Sequence, residues 1–171
     1  MGAFSWPPHG KNLVCLCEND SIPFPSKSVH KILISHALEF YGNPDIILKE
    51  AWRVLVDGGE LVIITPNRRG FWSRAPNTPF GNGNPYTGRQ LFSLLESTGF
   101  MPSKPQYCLF QPPAFDVISG GSFENIETFG RRWMKKLGGL VIIRGEKQVL
   151  GAVKNHSSYA FEKRIFNPFP S

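Results

Sequence analysis

No apolar run in this 171-residue chain approaches the roughly 18 residues that a bilayer-spanning helix needs, so a membrane-spanning protein is not expected. The opening residues, MGAFSWPPHGKN, lack a basic segment followed by an apolar core, which argues against a signal peptide. Cysteine is scarce. Three thiols cannot all pair within the chain, and Cys15 and Cys17 stand two apart, a spacing that fits neither a redox nor a zinc motif. They are expected as buried or inert thiols in a reducing, cytoplasmic setting, and no metal site is expected. Charged residues make up only 19% against 41% hydrophobic, the balance of an ordinary soluble globule of one domain.

Acidic residues are the scarcer sign, 13 against 19 lysines and arginines, for a net charge of +6. The excess does not by itself point to nucleic acid. Arg131, Arg132, Lys135 and Lys136 fall on one face of a helix expected over roughly Glu124 to Leu137, whose other face carries Ile126, Phe129, Trp133 and Leu137. A solvated amphipathic face accounts for that pattern, as an RNA-binding face also would. No RNA-binding signature accompanies it, so nucleic acid is the less favoured partner.

The most informative stretch runs from Asn43 to Asn67, NPDIILKEAWRVLVDGGELVIITPN. Asn43 suits an N-cap, Pro44 presets φ for the first helical position, and Asp45 sets a negative charge against the positive helix end. Leu48, Ala51, Trp52 and Leu55 recur on one stripe, which predicts a buried face, with Lys49, Glu50 and Arg53 turned to water. Gly58 is placed to end the helix in a left-handed conformation. Leu61 to Ile64 then run apolar without alternation, as in a strand covered on both faces, and Pro66 ends it.

Two further strands are expected before this unit, at Leu13 to Cys17 and at Val29 to Ser35, joined by a proline-broken surface segment. After it, a loop of about 20 residues, RRGFWSRAPNTPFGNGNPYTG, has no period and reads as a lid or binding loop. Thr87 and Gln90 form a capping box ahead of Leu91, Leu94 and Leu95, with Gly99 as the stop. Strands are expected at Gln106 to Phe110 and Leu140 to Ile143. The residues from 155 onward are expected to form a loosely attached tail to a domain of residues 1–154. Alternating strands and helices predict an α/β fold with helices on both faces of a mainly parallel sheet, and ligands bind outside the carboxyl ends of such strands. Glu18, Asn19, Ser35, His36, Glu39, Asn67, Arg68 and Arg69 lie at those ends, and Tyr86 is expected to join Arg68 and Arg69 around a pocket there.

The line ENDSIPFPSKSVH (Glu18 to His30), followed by PDIILKEAWRVLVDGGELVIITPN, resembles the latter part of a class I S-adenosylmethionine-dependent methyltransferase domain. Over about residues 13 to 110 it is most similar to the type-eleven branch, akin to the quinone-biosynthesis methyltransferases. The resemblance implies a Rossmann-like sheet and S-adenosylmethionine as cofactor. It places Glu18 where an acidic residue accepts from the adenine amino group, Asn19 where a backbone amide meets the adenine ring, and Ser35 where a strand end approaches the cofactor. His30 departs from the acidic residue usual at its position.

The family's opening strand, Gly-rich loop and acidic ribose contact have no counterpart in this sequence, so the domain is expected to be amino-terminally truncated. That loop lets the backbone approach the cofactor without a Cβ in the way. The resemblance therefore implies methyl transfer to an unidentified small molecule, weak or absent in the chain as it stands. His36 is the candidate base, with a hydrogen-bonded structural histidine as the alternative. Glu39, Asn67, Arg68, Arg69 and Tyr86 are candidate acceptor contacts, the two arginines able to present paired donors to a carboxylate or phosphate. The alternative function is a non-catalytic interaction module that self-associates through the sheet edge left by the missing strands.

Overall fold

Asn43 begins the first helix as its chemistry dictates. The computed structural model describes residues 11, 14–15, 17–18, 20–75, 78–110, 130, 132, 134 and 136–148. In it the Asn43 side chain accepts from the Asp45 amide at 3.1 Å, and α1 runs Pro44–Val54. It passes directly into β2 (Leu55–Pro66), the Leu55 amide donating to the Ala51 carbonyl. Gly58 does not end this helix. Its φ of +77° lies inside β2, where β2 falls out of step with β1 (Val29–Ser35): Val29 pairs with Leu55, but Lys31 pairs with Glu60. The surplus residues bulge, and glycine takes the left-handed backbone there at no steric cost.

Beyond the bulge β1 and β2 are adjacent and parallel, with Ser35 opposite Ile64. The helix α2 (Gly88–Ser97) leads to β3 (Phe100–Pro102) and β4 (Gln106–Cys108), and β5 (Leu140–Lys147) closes the set. The strand order is β1-β2-β5-β3, with β4 also on β5. The α/β sheet is as expected, but its pairing is less parallel: β5 runs antiparallel to β2, β3 and β4. Four strands still point one way. The reversed β5 is inserted among them and makes every contact of its own antiparallel.

Leu48 and Ala51 of α1, Leu91 and Leu95 of α2, and Ile34, Leu61, Ile63, Val141 and Ile143 of the strands form a single buried cluster. Both helices therefore cover the same face. Of the two faces expected to carry helices, this is the one that carries α1 and α2. Leu33, on the other face of β1, is 62% exposed. The strand at Leu13 to Cys17 is corrected. Val14, Cys15 and Cys17 lie outside any strand and are exposed, and β1 is the last strand on that side of the described sheet. Of the expected helix at Glu124 to Leu137, most lies outside the described residues, as does the tail. No helix among the described residues is long and apolar enough to cross a membrane.

Glu50 departs from its expected place in water. It is almost buried, and its carboxylate accepts from the Ile22 amide at 2.9 Å and from Arg53 Nε and Nη2 at 2.8 and 2.6 Å. Arg53 in turn donates to the carbonyls of Ile22 and Phe24 and to Ser26 Oγ. The Glu50–Arg53 pair of α1 thus clamps the Ile22-Pro-Phe segment, so the two sequence blocks that carry the resemblance are one hydrogen-bonded unit. The Arg53 hydrogen bond holds the Glu50 carboxyl below its ordinary range, against the opposing effect of burial.

Trp52 is half-buried and Lys49 exposed. The indole meets Phe100 edge-on at 4.9 Å. Lys147, nearly buried, donates to the Trp52 and Leu55 carbonyls at 2.7 and 2.8 Å, supplying positive charge to the carboxyl end of α1. Burial lowers its pKa.

Candidate functional site

The carboxyl ends of β1 and β2 bring one group of the expected residues together. At the end of β1 the backbone turns sharply at His36, whose φ is +51°, while its amide still donates to the Ile64 carbonyl at 2.9 Å. A non-glycine residue in this region is uncommon and marks a position held by its surroundings. Those surroundings are specific. His36 Nδ1 stands 3.3 Å from Glu39 Oε1, and the imidazole stacks on Phe80 at 5.2 Å. Glu39 is 1% exposed, and its second oxygen accepts from Thr65 Oγ1 at 2.9 Å. A neutral ring with its proton on Nδ1, facing Glu39, would present Nε2 as an acceptor, the form a general base requires.

The long loop folds back over this edge. Asn84 donates its amide to the Glu39 carbonyl at 2.7 Å and Arg68 donates its amide to the Tyr86 carbonyl at 3.0 Å. Asn67 and Tyr86 form a single parallel bridge. Two short 3₁₀ turns, Trp72–Arg74 and Pro79–Gly81, set Trp72 edge-on to Phe80 at 5.5 Å. The Tyr86 hydroxyl donates to the Leu38 carbonyl at 3.5 Å. Burial, with the Glu39 and Asp45 charges, raises the Tyr86 pKa.

Two candidate acceptor contacts face inward. Glu39 stands behind His36, and Asn67, also 1% exposed, spends its side chain on the protein. Its Nδ2 donates to the Gly138 and Lys136 carbonyls at 2.7 and 3.0 Å, and its Oδ1 accepts from the Arg69 amide at 3.2 Å. Ser35 is exposed at the end of β1. Glu18 is exposed in chain that belongs to no strand, and Asn19 lies outside the described residues.

Beside Asn67 a cavity of about 420 Å³ opens between the turn after β2, the start of α2, and β4. Arg69, Arg89 and Lys136 line it together with Phe92, Pro105 and Tyr107. Arg69 is thus brought to a pocket at the carboxyl edge, whereas Arg68 and Tyr86 do not line it. Burial raises the Tyr107 pKa, and nearby Arg69 opposes this. A larger hollow of about 930 Å³ lies near the amino end of β1, and in it Glu60 faces Lys31 at 2.9 Å and Arg144 at 3.9 Å.

Sequence reasoning missed Thr65, Phe80, Arg89 and Tyr107. The available signals were the aromatics in an aperiodic loop and the arginine two residues past the Thr87 cap.

A methyltransferase domain family matches residues 7–63. An uncharacterised protein of Mycobacterium tuberculosis is 32% identical over 108 residues, covering 59% of this chain and 38% of the relative. Another, of Methanocaldococcus jannaschii, is 25% identical over 140 residues, covering 78% and 63%. The chain spans less than two thirds of the length of these relatives. Among solved structures, an S-adenosylmethionine-dependent methyltransferase of Thermotoga maritima superposes with a TM-score of 0.57 at 23% identity, over 76% of this chain and 61% of that one. Geranyl diphosphate C-methyltransferase of Streptomyces coelicolor, solved with geranyl diphosphate and S-adenosyl-L-homocysteine, gives 0.52 at 17%, over 78% and 51%. These likenesses are of fold.

Proposed function

We propose that this chain, which carries part of a class I S-adenosylmethionine-dependent methyltransferase domain, supplies the acceptor side of methyl transfer to a small molecule. The observation that carries this reading is the His36–Glu39–Thr65 relay at the carboxyl ends of the two parallel strands. His36 would take the proton of an oxygen, nitrogen or carbon nucleophile, and Glu39 would hold the ring and offset the positive charge that forms. Arg68 and Arg69, both exposed, would orient the acceptor, the main requirement for in-line transfer.

The cofactor side is a different matter. Glu18, Asn19 and Ser35 remain the candidate contacts, yet Glu18 and Ser35 are both exposed. One exposed charged hydrogen bond, at most about 1.5 to 3 kcal/mol, falls far short of the roughly 8 kcal/mol that a micromolar constant requires.

Calorimetric titration of the 171-residue polypeptide should therefore show no saturable cofactor binding at micromolar concentrations. With methyl-labelled cofactor at millimolar concentration, slow transfer into a small-molecule fraction is expected. Saturable micromolar binding would replace the weak-binding reading with a complete cofactor site. A second reading, an interaction module, is favoured by β1 standing last in the sheet order with Leu33 exposed. Absence of transfer together with a concentration-dependent dimer in sedimentation would decide for it.

A further inference from the structure

We infer that the cavity beside Asn67 binds a small organic anion with a flat apolar body, of the class of an aromatic carboxylate. Calling that molecule the methyl acceptor rests on the function proposed above, whereas its binding does not. About 420 Å³ suits a compact ligand, since small-molecule sites run from about 300 to 1,000 Å³. Its lining carries three cations, Arg69, Arg89 and Lys136, and no carboxylate.

Four described carboxylates are paired with other groups: Asp57 with Lys27 and Lys147, Glu60 with Lys31 and Arg144, Glu50 with Arg53, and Glu39 with His36. None of the three cavity cations is ion-paired among the described residues. Three like charges around one hollow raise the local potential, and an anion entering it breaks no existing pair. Guanidinium groups add planar paired donors that suit a carboxylate.

Beside Asn67, Thr87 and Gly88, part of the remaining wall is apolar. Phe92, Pro105 and Tyr107 supply it, and an aromatic face accepts the π-surface of a ligand ring by offset or edge contact. Gly88 sets the shape of this wall: a Cβ there would run into the Tyr107 hydroxyl and come within 2.9 Å of the Pro105 Cβ. Burial keeps the Tyr107 phenol protonated well above neutral pH, so it remains a donor to a bound anion. The charged rim fixes the ligand's head, and the ring wall its body.

The test is a set of titrations of the full 171-residue polypeptide, followed by two-dimensional NMR. Benzoate should bind saturably and shift the resonances of Phe92 and Tyr107. Its neutral isostere benzamide should bind at least about tenfold more weakly, the factor that corresponds to about 1.4 kcal/mol. Phenyl phosphate should bind and inorganic phosphate should leave the ring resonances in place. Arg69→Gln and Arg89→Gln, both at exposed side chains and checked for unchanged circular dichroism, should each weaken benzoate severalfold and leave benzamide unaffected. Equal binding of benzoate and benzamide, or none of either, would overturn the proposal. Insensitivity to both arginine substitutions would do the same, and inorganic phosphate binding as tightly as phenyl phosphate would remove the apolar body from it. No methyl transfer is read in these titrations, so their failure leaves the relay at His36 to the labelled-cofactor experiment.

Discussion

Replacing Glu50 by alanine should destabilise the protein by about 2 to 3 kcal/mol, seen as a lower urea midpoint at unchanged slope. The carboxylate serves three donors at once, the Ile22 amide and two nitrogens of Arg53. Charge-assisted bonds of this kind contribute about 1.5 to 3 kcal/mol each, but Arg53 is partly exposed and regains water when its partner is lost. The Ile22 amide gains no such replacement within the clamp. Hydrogen exchange at Ile22 should therefore accelerate more than exchange at Ile63 in the core. Glu50→Gln keeps an acceptor without the charge and should cost less. The carboxyl's pKa is lowered in the folded state, so its contribution is full above its ordinary value of about 4.5 and fades as pH falls through the lowered one. Acid unfolding of the glutamine variant should accordingly be less steep. An unchanged midpoint and unchanged Ile22 protection would mean that the clamp adds nothing to folding.

What the sequence disclosed was local chemistry. Asn43 at the cap, the Thr87–Gln90 capping box and the Leu91 and Leu95 stripe follow from hydrogen-bonding groups and periods within a few residues of one another, and the structure keeps them. Gly58 was misplaced because a left-handed glycine serves a helix end and a strand bulge equally well. Only the register of β1 against β2, a relation between residues about 30 apart, decides between them. Glu50 was assigned to water for a similar reason. Helical spacing placed it off the apolar stripe, and nothing local announced that residues 22–26 would lie over it. At the site, the end-of-strand rule found His36, Glu39 and Asn67, but it does not distinguish side chains that face a ligand from those spent on the protein.

Asn67→Asp should be among the most damaging single-atom changes in this protein, costing about 3 to 5 kcal/mol at neutral pH. The amide nitrogen of Asn67 donates to two carbonyl oxygens, of Gly138 at 2.7 Å and Lys136 at 3.0 Å, and thereby ties the end of β2 to the start of β5. An aspartate has nearly the same shape but turns this donor into a charged acceptor against two acceptors, in a position 1% exposed. The backbone bond from Asn67 N to the Gly139 carbonyl at 2.8 Å remains, so the fold should loosen at this junction before it is lost. Asn67→Ala removes the donor without adding charge and should cost about 2 kcal/mol. The two variants separate by pH. In the aspartate protein, burial and repulsion from two carbonyl oxygens at hydrogen-bonding distance raise the folded-state pKa above the unfolded value of about 3.9, against the attraction of Arg69, Arg89 and Lys136, which line the neighbouring cavity. Its stability should therefore be recovered in acid, where the protonated carboxyl donates one bond, and lost as pH rises through the raised value. Melting curves between about pH 4 and pH 8 should show the aspartate variant falling below the alanine variant only toward the upper end. If the two track each other across that range, the side-chain donor of Asn67 is not what joins β2 to β5.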